Sequence, residues 1–258
     1  MTRAAKKFLI GVLVGLALVA VVAAVLSAVG IGGEAVGENK SYEVTGEIKT
    51  LVVEIGAADF RIVEGDGFLV ESNLKHLTFR QSGDKLILKE RTSGRNNYKN
   101  AELVIYIPKD TVFKEIDIST GAGRFIADSL SAEKIDLEFG AGEVNIAELS
   151  ASVEADIDGG AGEITIGGGS LKNLSLDMGA GELNITSEMK GNSELDLGVG
   201  EVNITLIGTP DDYTVEMTKG IGSLSFNGEA ISGGKTVGNG QNNVEINGGV
   251  GEINIYFK

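Results

Sequence analysis

The chain has no cysteine and no tryptophan, and only one histidine and two prolines among its 258 residues. Without cysteine there are no disulfides, no thiolate metal sites, no cysteine nucleophile and no lipid-modified N-terminal cysteine. The single imidazole, His76, leaves little acid–base chemistry near neutral pH. Aromatic residues are 5% of the chain, which leaves few flat platforms for sugar rings. Basic side chains are also scarce, at 22 against 37 acidic ones, and a formal charge of −15 argues against a nucleic-acid partner. Glycine is abundant instead, with 38 residues that follow no three-residue collagen period. Apolar residues at 42% are enough to build a folded core.

Arg3, Lys6 and Lys7 precede an uncharged run from Phe8 to Gly33. About 20 apolar residues cross a bilayer as a helix, whereas the core of a cleaved signal is about 7–15 residues. The run is therefore expected to be an uncleaved anchor; cleavage near Ala28 and Gly30 is the alternative. The positive-inside bias puts residues 1–7 in the cytoplasm, 8–33 across the cell membrane as a single pass, and the rest of the chain outside. Gly11 and Gly15 have the G-x-x-x-G spacing that lets helices approach closely, so a homo-oligomer is one expectation.

From residue 121 a phrase recurs: Gly140-Ala-Gly142-Glu-Val-Asn-Ile, Gly160-Ala-Gly162-Glu-Ile-Thr-Ile, Gly179-Ala-Gly181-Glu-Leu-Asn-Ile and Gly198-Val-Gly200-Glu-Val-Asn-Ile. Gly121-Ala-Gly123 opens the series, and Gly220-Ile-Gly222 and Gly249-Val-Gly251 close it. The first glycines are 19, 20, 19, 19, 22 and 29 residues apart, a period that marks stacked repeats. Within each unit the apolar period is two, as in Ile135, Leu137 and Phe139 against Asp136 and Glu138. Each unit thus reads as a half-buried strand, a Gly-x-Gly corner and a second strand. The expected fold is all-β, a right-handed single-stranded parallel β-solenoid of about 19–20-residue rungs behind one transmembrane helix.

Residues 34–50 are expected to be a linker and first strand, and 51–258 the β-domain, regular over 116–258. Leu51–Val63 reads as one degenerate rung, Leu77–Leu88 as a hairpin about Ser82-Gly83-Asp84, and Ala101–Pro108 as a strand. The 65 residues from Gly56 to Gly121 have the length of about three more rungs. The polar stretch Gly228 to Asn243, or else a partner, is expected to cover the edge of the last rung.

The run Ala101-Glu-Leu-Val-Ile-Tyr-Ile-Pro-Lys-Asp110, followed by Phe113-Lys-Glu-Ile-Asp-Ile-Ser-Thr-Gly-Ala-Gly123, resembles the toastrack, or adhesin-type β-strand-repeat, family of bacterial cell-envelope proteins. The Gly-Glu-Ile-Asn-Ile-Tyr-Phe257 segment matches the same style, and the resemblance covers about residues 42–258. It implies a β-solenoid, membrane attachment and, in some members, a role in envelope-stress response. It implies no catalytic residues.

Gly-Gly-Lys235-Thr236 misses the phosphate-loop spacing because Glu229 stands where a glycine is required. Ser-x-x-Lys begins at Ser72, Ser82, Ser131, Ser187 and Ser232, without the companion motifs of penicillin-recognising enzymes. His76 sits in a segment with no nucleophile signature. The carboxylates are more regular. Glu143, Glu163, Glu182 and Glu201, with Glu252 later, occupy one repeat position; Asp136, Asp156 and Glu194 a second, interrupted by Ser175; Glu138, Asp158, Asp177 and Asp196 a third. Stacked acidic ladders suit a solvated face, and the alternative is recruitment of Ca²⁺, a hard cation that takes several carboxylate oxygens. Asn145, Thr165, Asn184 and Asn203 form a further outward column suited to hydrogen bonding along the stack.

The sequence thus points to binding without catalysis: a scaffold at the cell envelope whose partners are membrane or envelope proteins or wall polymers. The alternatives are a cation-assisted surface adhesin and an exported glycan-active enzyme.

Overall fold

The structure is a computed structural model that describes residues 33–91, 96–218 and 220–258. The expected anchor over 8–33 lies, except for Gly33, outside the described residues, as do residues 1–7. Among the described residues there is no helix. The fold is all-β, dominated by one large, mostly parallel sheet.

Period-two alternation produces the strands. In Leu174–Lys190 the buried side chains are Leu174, Leu176 and Met178 before the corner, then Leu183, Ile185, Ser187 and Met189 after it. The residues between them face solvent or are half-buried. Strand character runs through the corners, so that Phe113–Ile166 is one strand of 54 residues.

Leu174–Lys190 pairs in parallel with Asn192–Leu206 on one side and with Phe113–Ile166 on the other. Leu176 meets Leu195 and Ile157, and Gly181 meets Gly200 and Gly162, an offset of 19 residues each way. Like therefore stacks on like: Ile157, Leu176, Leu195, Ile246 and Met217 form one buried row. Burying each such side chain contributes about 1.5–3 kcal/mol. Phe60, Phe125 and Phe139 continue the core as a tilted stack with centroids 4.9 and 5.4 Å apart. The buried Tyr213 hydroxyl donates to Ile207 O at 2.7 Å and accepts from Met189 N–H at 3.3 Å. Two recesses along the corners accept only about 20 Å³ each, the room of a single water.

The corner glycines have two separate reasons to be glycine. Gly181 has φ of +133°, which side chains rarely adopt, and a Cβ on it would overlap the carbonyl oxygen of Gly162. Gly179 faces the carbonyl of Gly160 in the same way. The pattern holds for Gly121 and Gly123 against Gly56 and Ala58, for Gly140 and Gly142 against Gly121 and Gly123, and for Gly198 and Gly200 against Gly179 and Gly181.

At both ends the order of rungs departs from the order of the sequence. The 65-residue interval does not hold three rungs. Thr50–Gly65 stacks directly on Phe113–Ile166, with Leu51 on Ile116, Ala57 on Ala122 and Phe60 on Phe125. The intervening chain forms one outer rung, Lys85–Glu90 and Glu102–Pro108, on the far side of Thr50–Gly65. The remainder is spent on antiparallel cover. Leu77–Ser82 lies on Lys85–Glu90, Leu69–Leu74 on Glu102–Pro108, and Val36–Glu43 on Leu69–Leu74.

At the other end Val250–Phe257 inserts between Asn192–Leu206 and Ile221–Phe226. Gly251 thus stacks on Gly200, and Gly222 on Gly251, where sequence order had put Gly222 next to Gly200. The reason is side-chain identity. Val250, Glu252 and Asn254 repeat Val199, Glu201 and Asn203, and Asn254 Nδ2 donates to Asn203 Oδ1 at 3.1 Å. The Gly222 rung carries Ser223 and Ser225 at those places and takes the outside. The 228–243 stretch does cover the edge, through Glu229–Ala230 on Ile221–Phe226 and Lys235–Gly238 on Tyr213–Thr218, but the edge belongs to the Gly222 rung.

Two outcomes are expected. Gly181→Ala should lower unfolding stability by about 3 kcal/mol or more in denaturant titration, while Ala180→Ser should stay within about 0.5 kcal/mol. Deleting residues 241–258 should bring amide exchange of 213–226 to the rate of unstructured chain, because those strands pair with the deleted segment, and leave 144–185 protected. Retained protection of 213–226 would mean that this rung re-pairs directly with Asn192–Leu206.

Candidate functional site: the acidic ladders

The registers gather the sequence-predicted carboxylates into columns. Glu163, Glu182, Glu201 and Glu252 are successive partners, and Ser223 follows them. Asp158, Asp177 and Asp196 are successive partners, followed by Asn247 and Thr218. Asp156, Ser175, Glu194, Glu245 and Glu216 form the third column. Sequence reading missed Glu245 and Glu216 as members of it because the inserted rung reorders the stack. Glu143 is drawn aside by Arg124, whose Nε lies 3.2 Å from Glu143 Oε2.

The glutamates are held by the residue two places on. Asn184 Nδ2 donates to Glu182 Oε1 at 2.8 Å, Asn203 to Glu201 Oε1 at 3.2 Å and Asn254 to Glu252 Oε1 at 3.1 Å. Thr165 Oγ1 donates to Glu163 Oε1 at 3.5 Å. The amides also bond along the stack, Asn203 Nδ2 to Asn184 Oδ1 at 3.0 Å, and Ser225 Oγ to Asn254 Oδ1 at 2.6 Å. From Asn184 through Asn203 to Asn254 the column forms a hydrogen-bonded ladder, and these three asparagines hold Glu182, Glu201 and Glu252 by one oxygen each.

The aspartates carry the repulsion. Partial burial, then the charges of Asp156, Asp177 and Glu138, hold the Asp158 carboxyl above its ordinary value of 3.8. Partial burial and Asp117, Asp156, Glu138 and Asp158 do the same to Asp136, and partial burial, Glu115 and Glu138 to Asp117. Two charges about 5 Å apart repel by about 0.8 kcal/mol in water, less with salt.

Among the described residues no three His, Asp or Glu side chains converge closely enough to hold a metal ion. His76 is exposed, in the turn between Leu69–Leu74 and Leu77–Ser82. Lys235 and Thr236 enter a strand, Lys235–Gly238, and not a helix N-terminus. The Glu90 carboxylate is a feature that the sequence did not flag. It is buried, its Oε2 accepts from Gly56 N–H at 2.9 Å, and its Oε1 has no partner. From the outer rung it supplies the acceptor for the corner amide of the Thr50–Gly65 rung beneath it.

The raised carboxyls fix a pH dependence. A folded-state value above the unfolded one means that the folded chain binds the proton more tightly. That contribution is whole below the unfolded value near 3.8 and is lost as pH rises through the higher folded value. Asp158→Asn should therefore raise the melting temperature by roughly 1–2 °C at pH 7 and low salt, with the difference vanishing below pH 3.8. Scanning calorimetry across pH and salt measures it, and a larger gain at low pH would contradict the sign.

A family model described as Toastrack DUF4097 matches residues 47–234. No curated protein matches the chain. Among solved structures, one from Bacteroides fragilis described as a "putative adhesin" is 14% identical, with a TM-score of 0.48 over 87% of this chain and 100% of that one. One from Clostridium sporogenes described as a "putative cell adhesion protein" is 19% identical, with a TM-score of 0.37 over 86% and 99%. A "putative lipid binding protein" from Parabacteroides distasonis is 15% identical, with a TM-score of 0.42 over 87% and 98%. Likeness at this level does not extend to function. The family model spans most of the chain, in the β-domain whose corners and registers have just been described, and the chain belongs to the Toastrack family.

Proposed function

We propose that the chain is a membrane-anchored, extracytoplasmic, non-catalytic interaction domain that acts as a scaffold at the cell envelope, within an envelope-stress response. Residues 8–33 are the single-pass anchor, 1–7 lie in the cytoplasm, and the remainder is a right-handed β-solenoid of 19–20-residue rungs, the hand being that of parallel crossovers. The observation that carries this reading is the outer surface: flat strand faces bearing continuous polar columns, fixed by hydrogen bonds along the stack, over a closely packed core. A rigid, regular, charged face suits recognition of another surface, and the corner recesses are too small for a small-molecule substrate.

A second reading is adhesion through bridging cations, favoured by the Asp158–Asp177–Asp196 column, where mutual repulsion would be relieved by a divalent ion. In-cell crosslinking of the full chain followed by mass spectrometry separates the two. The scaffold reading expects one or two membrane regulators, lost when residues 51–258 are deleted. Recovery of wall polymer alone, sensitive to chelation, would favour adhesion, and no specific partner would overturn the scaffold.

A further inference from the structure

The middle residue of each Gly-x-Gly corner forms a column of its own. In spatial order it reads Ala161, Ala180, Val199, Val250 and Ile221. On one side runs Asp158, Asp177, Asp196, Asn247, Thr218, and on the other Glu163, Glu182, Glu201, Glu252, Ser223. The corner therefore changes character along the stack. At Ala161 and Ala180 a methyl lies between two carboxylates; at Ile221 a large apolar side chain lies between two hydroxyls. Ile221 is 69% exposed and Val199 43%. The corner itself does not require them, because alanine serves at the equivalent place in the rung next to Val199, at Ala180. Beside them lies a shallow recess lined by Met178, Leu197, Val202 and Ile253.

We propose that this corner is a docking track for a cationic amphipathic helix, with its basic residues over the Ala161–Ala180 end and its apolar residues over Val199, Val250 and Ile221. This rests on the interaction-domain reading and names the partner's chemistry. The four steps from Ala161 to Ile221 cover roughly 19 Å at the spacing of paired strands, the length of a helix of about 13 residues. A helix lays an apolar stripe on the ridge while Lys or Arg on both flanks reach the two carboxylate columns by their long stems. An extended strand shows one line of side chains per face and reaches one column. Glu182 and Glu201 are exposed and give Oε1 to their asparagines, which leaves each a second oxygen to accept from a guanidinium.

The test uses the full chain in zwitterionic nanodiscs, with empty nanodiscs as the blank. The probe is a fluorescent helix-forming peptide of about 14 residues, arginine-rich in one half and leucine-rich in the other. A second peptide of the same composition has Arg and Leu spread evenly. Fluorescence anisotropy should show the graded peptide binding about tenfold more tightly than the even one, a difference of about 1.4 kcal/mol. Asp158→Asn, Asp177→Asn, Glu163→Gln and Glu182→Gln together should weaken it about tenfold and flatten its salt dependence. Val199→Ser with Ile221→Ser should weaken it several-fold at every salt concentration. Equal binding of the two peptides, or indifference to either set of variants, overturns the docking track. If crosslinking finds a partner seated on another face, the track falls and the interaction-domain reading stands. If the probe tracks the corner variants while crosslinking finds no partner, the track stands and the scaffold falls.

Discussion

The close approach of backbones at the corners is the constraint on which the rest depends. The carbonyl oxygen of one corner glycine occupies the space a Cβ would need on the glycine of the next rung. That contact tolerates one register. A slip by one residue would drive a side chain into a carbonyl and would also turn every inward residue outward. With the corners aligned, apolar rows stack on apolar rows and carboxylates on carboxylates, so the acidic columns are a by-product of register. The magnitudes allow it. Each added rung buries several apolar side chains at about 1.5–3 kcal/mol each, against less than about 1 kcal/mol for each exposed carboxylate contact. Asn184, Asn203 and Asn254 offset part of the repulsion by donating to the glutamates beside them.

A parallel stack leaves unpaired strand edges at both ends, and such edges invite aggregation. The chain meets this with antiparallel strands at each end. At one end it runs past the Thr50–Gly65 rung, lays down the outer rung and its cover, and returns to the inner side. At the other it builds the Gly222 rung and its cover first and then slots the Gly251 rung beneath. Both ends are thus closed by chain that has already been used, and the regular repeats are confined to the middle.

The middle was legible in the sequence because two local signals agree there: the Gly-x-Gly pairs and the alternation of Leu174 to Met178 and its counterparts. The hairpin about Gly83, the strand ending at Pro108 and the rung at Leu51–Val63 were legible from their apolar runs and from the single turn or strand-end residues Gly83, Pro108 and Gly56. The order of rungs at the ends was not, because stacking is decided between segments and leaves no mark in either alone. One clue was present: Val250-Gly-Glu252-Ile-Asn254 copies Val199-Gly-Glu201-Val-Asn203, whereas Ile221-Gly-Ser223-Leu-Ser225 does not. Matching ladders by side chain, and not by chain order, gives the observed neighbours. The same reordering hid the corner gradient, since Val199, Ile221 and Val250 become a graded series only when Val250 stands in the middle.

The spacing of the charges also bears on what they can bind. A calcium ion collects six to eight oxygens at about 2.3–2.6 Å around one point. Carboxylates repeated at the spacing of strands form a line, and the glutamates in that line have already given one oxygen to an asparagine. A line of charge is matched by another line. A helix returns to the same face every 5.4 Å, close to the roughly 4.8 Å between strands, so its cations fall near successive carboxylates over three or four rungs before the two periods drift apart. The distance over which the periods stay matched is about the distance over which the corner passes from paired carboxylates to Ile221, so a point ion uses little of this geometry and a short cationic helix uses most of it.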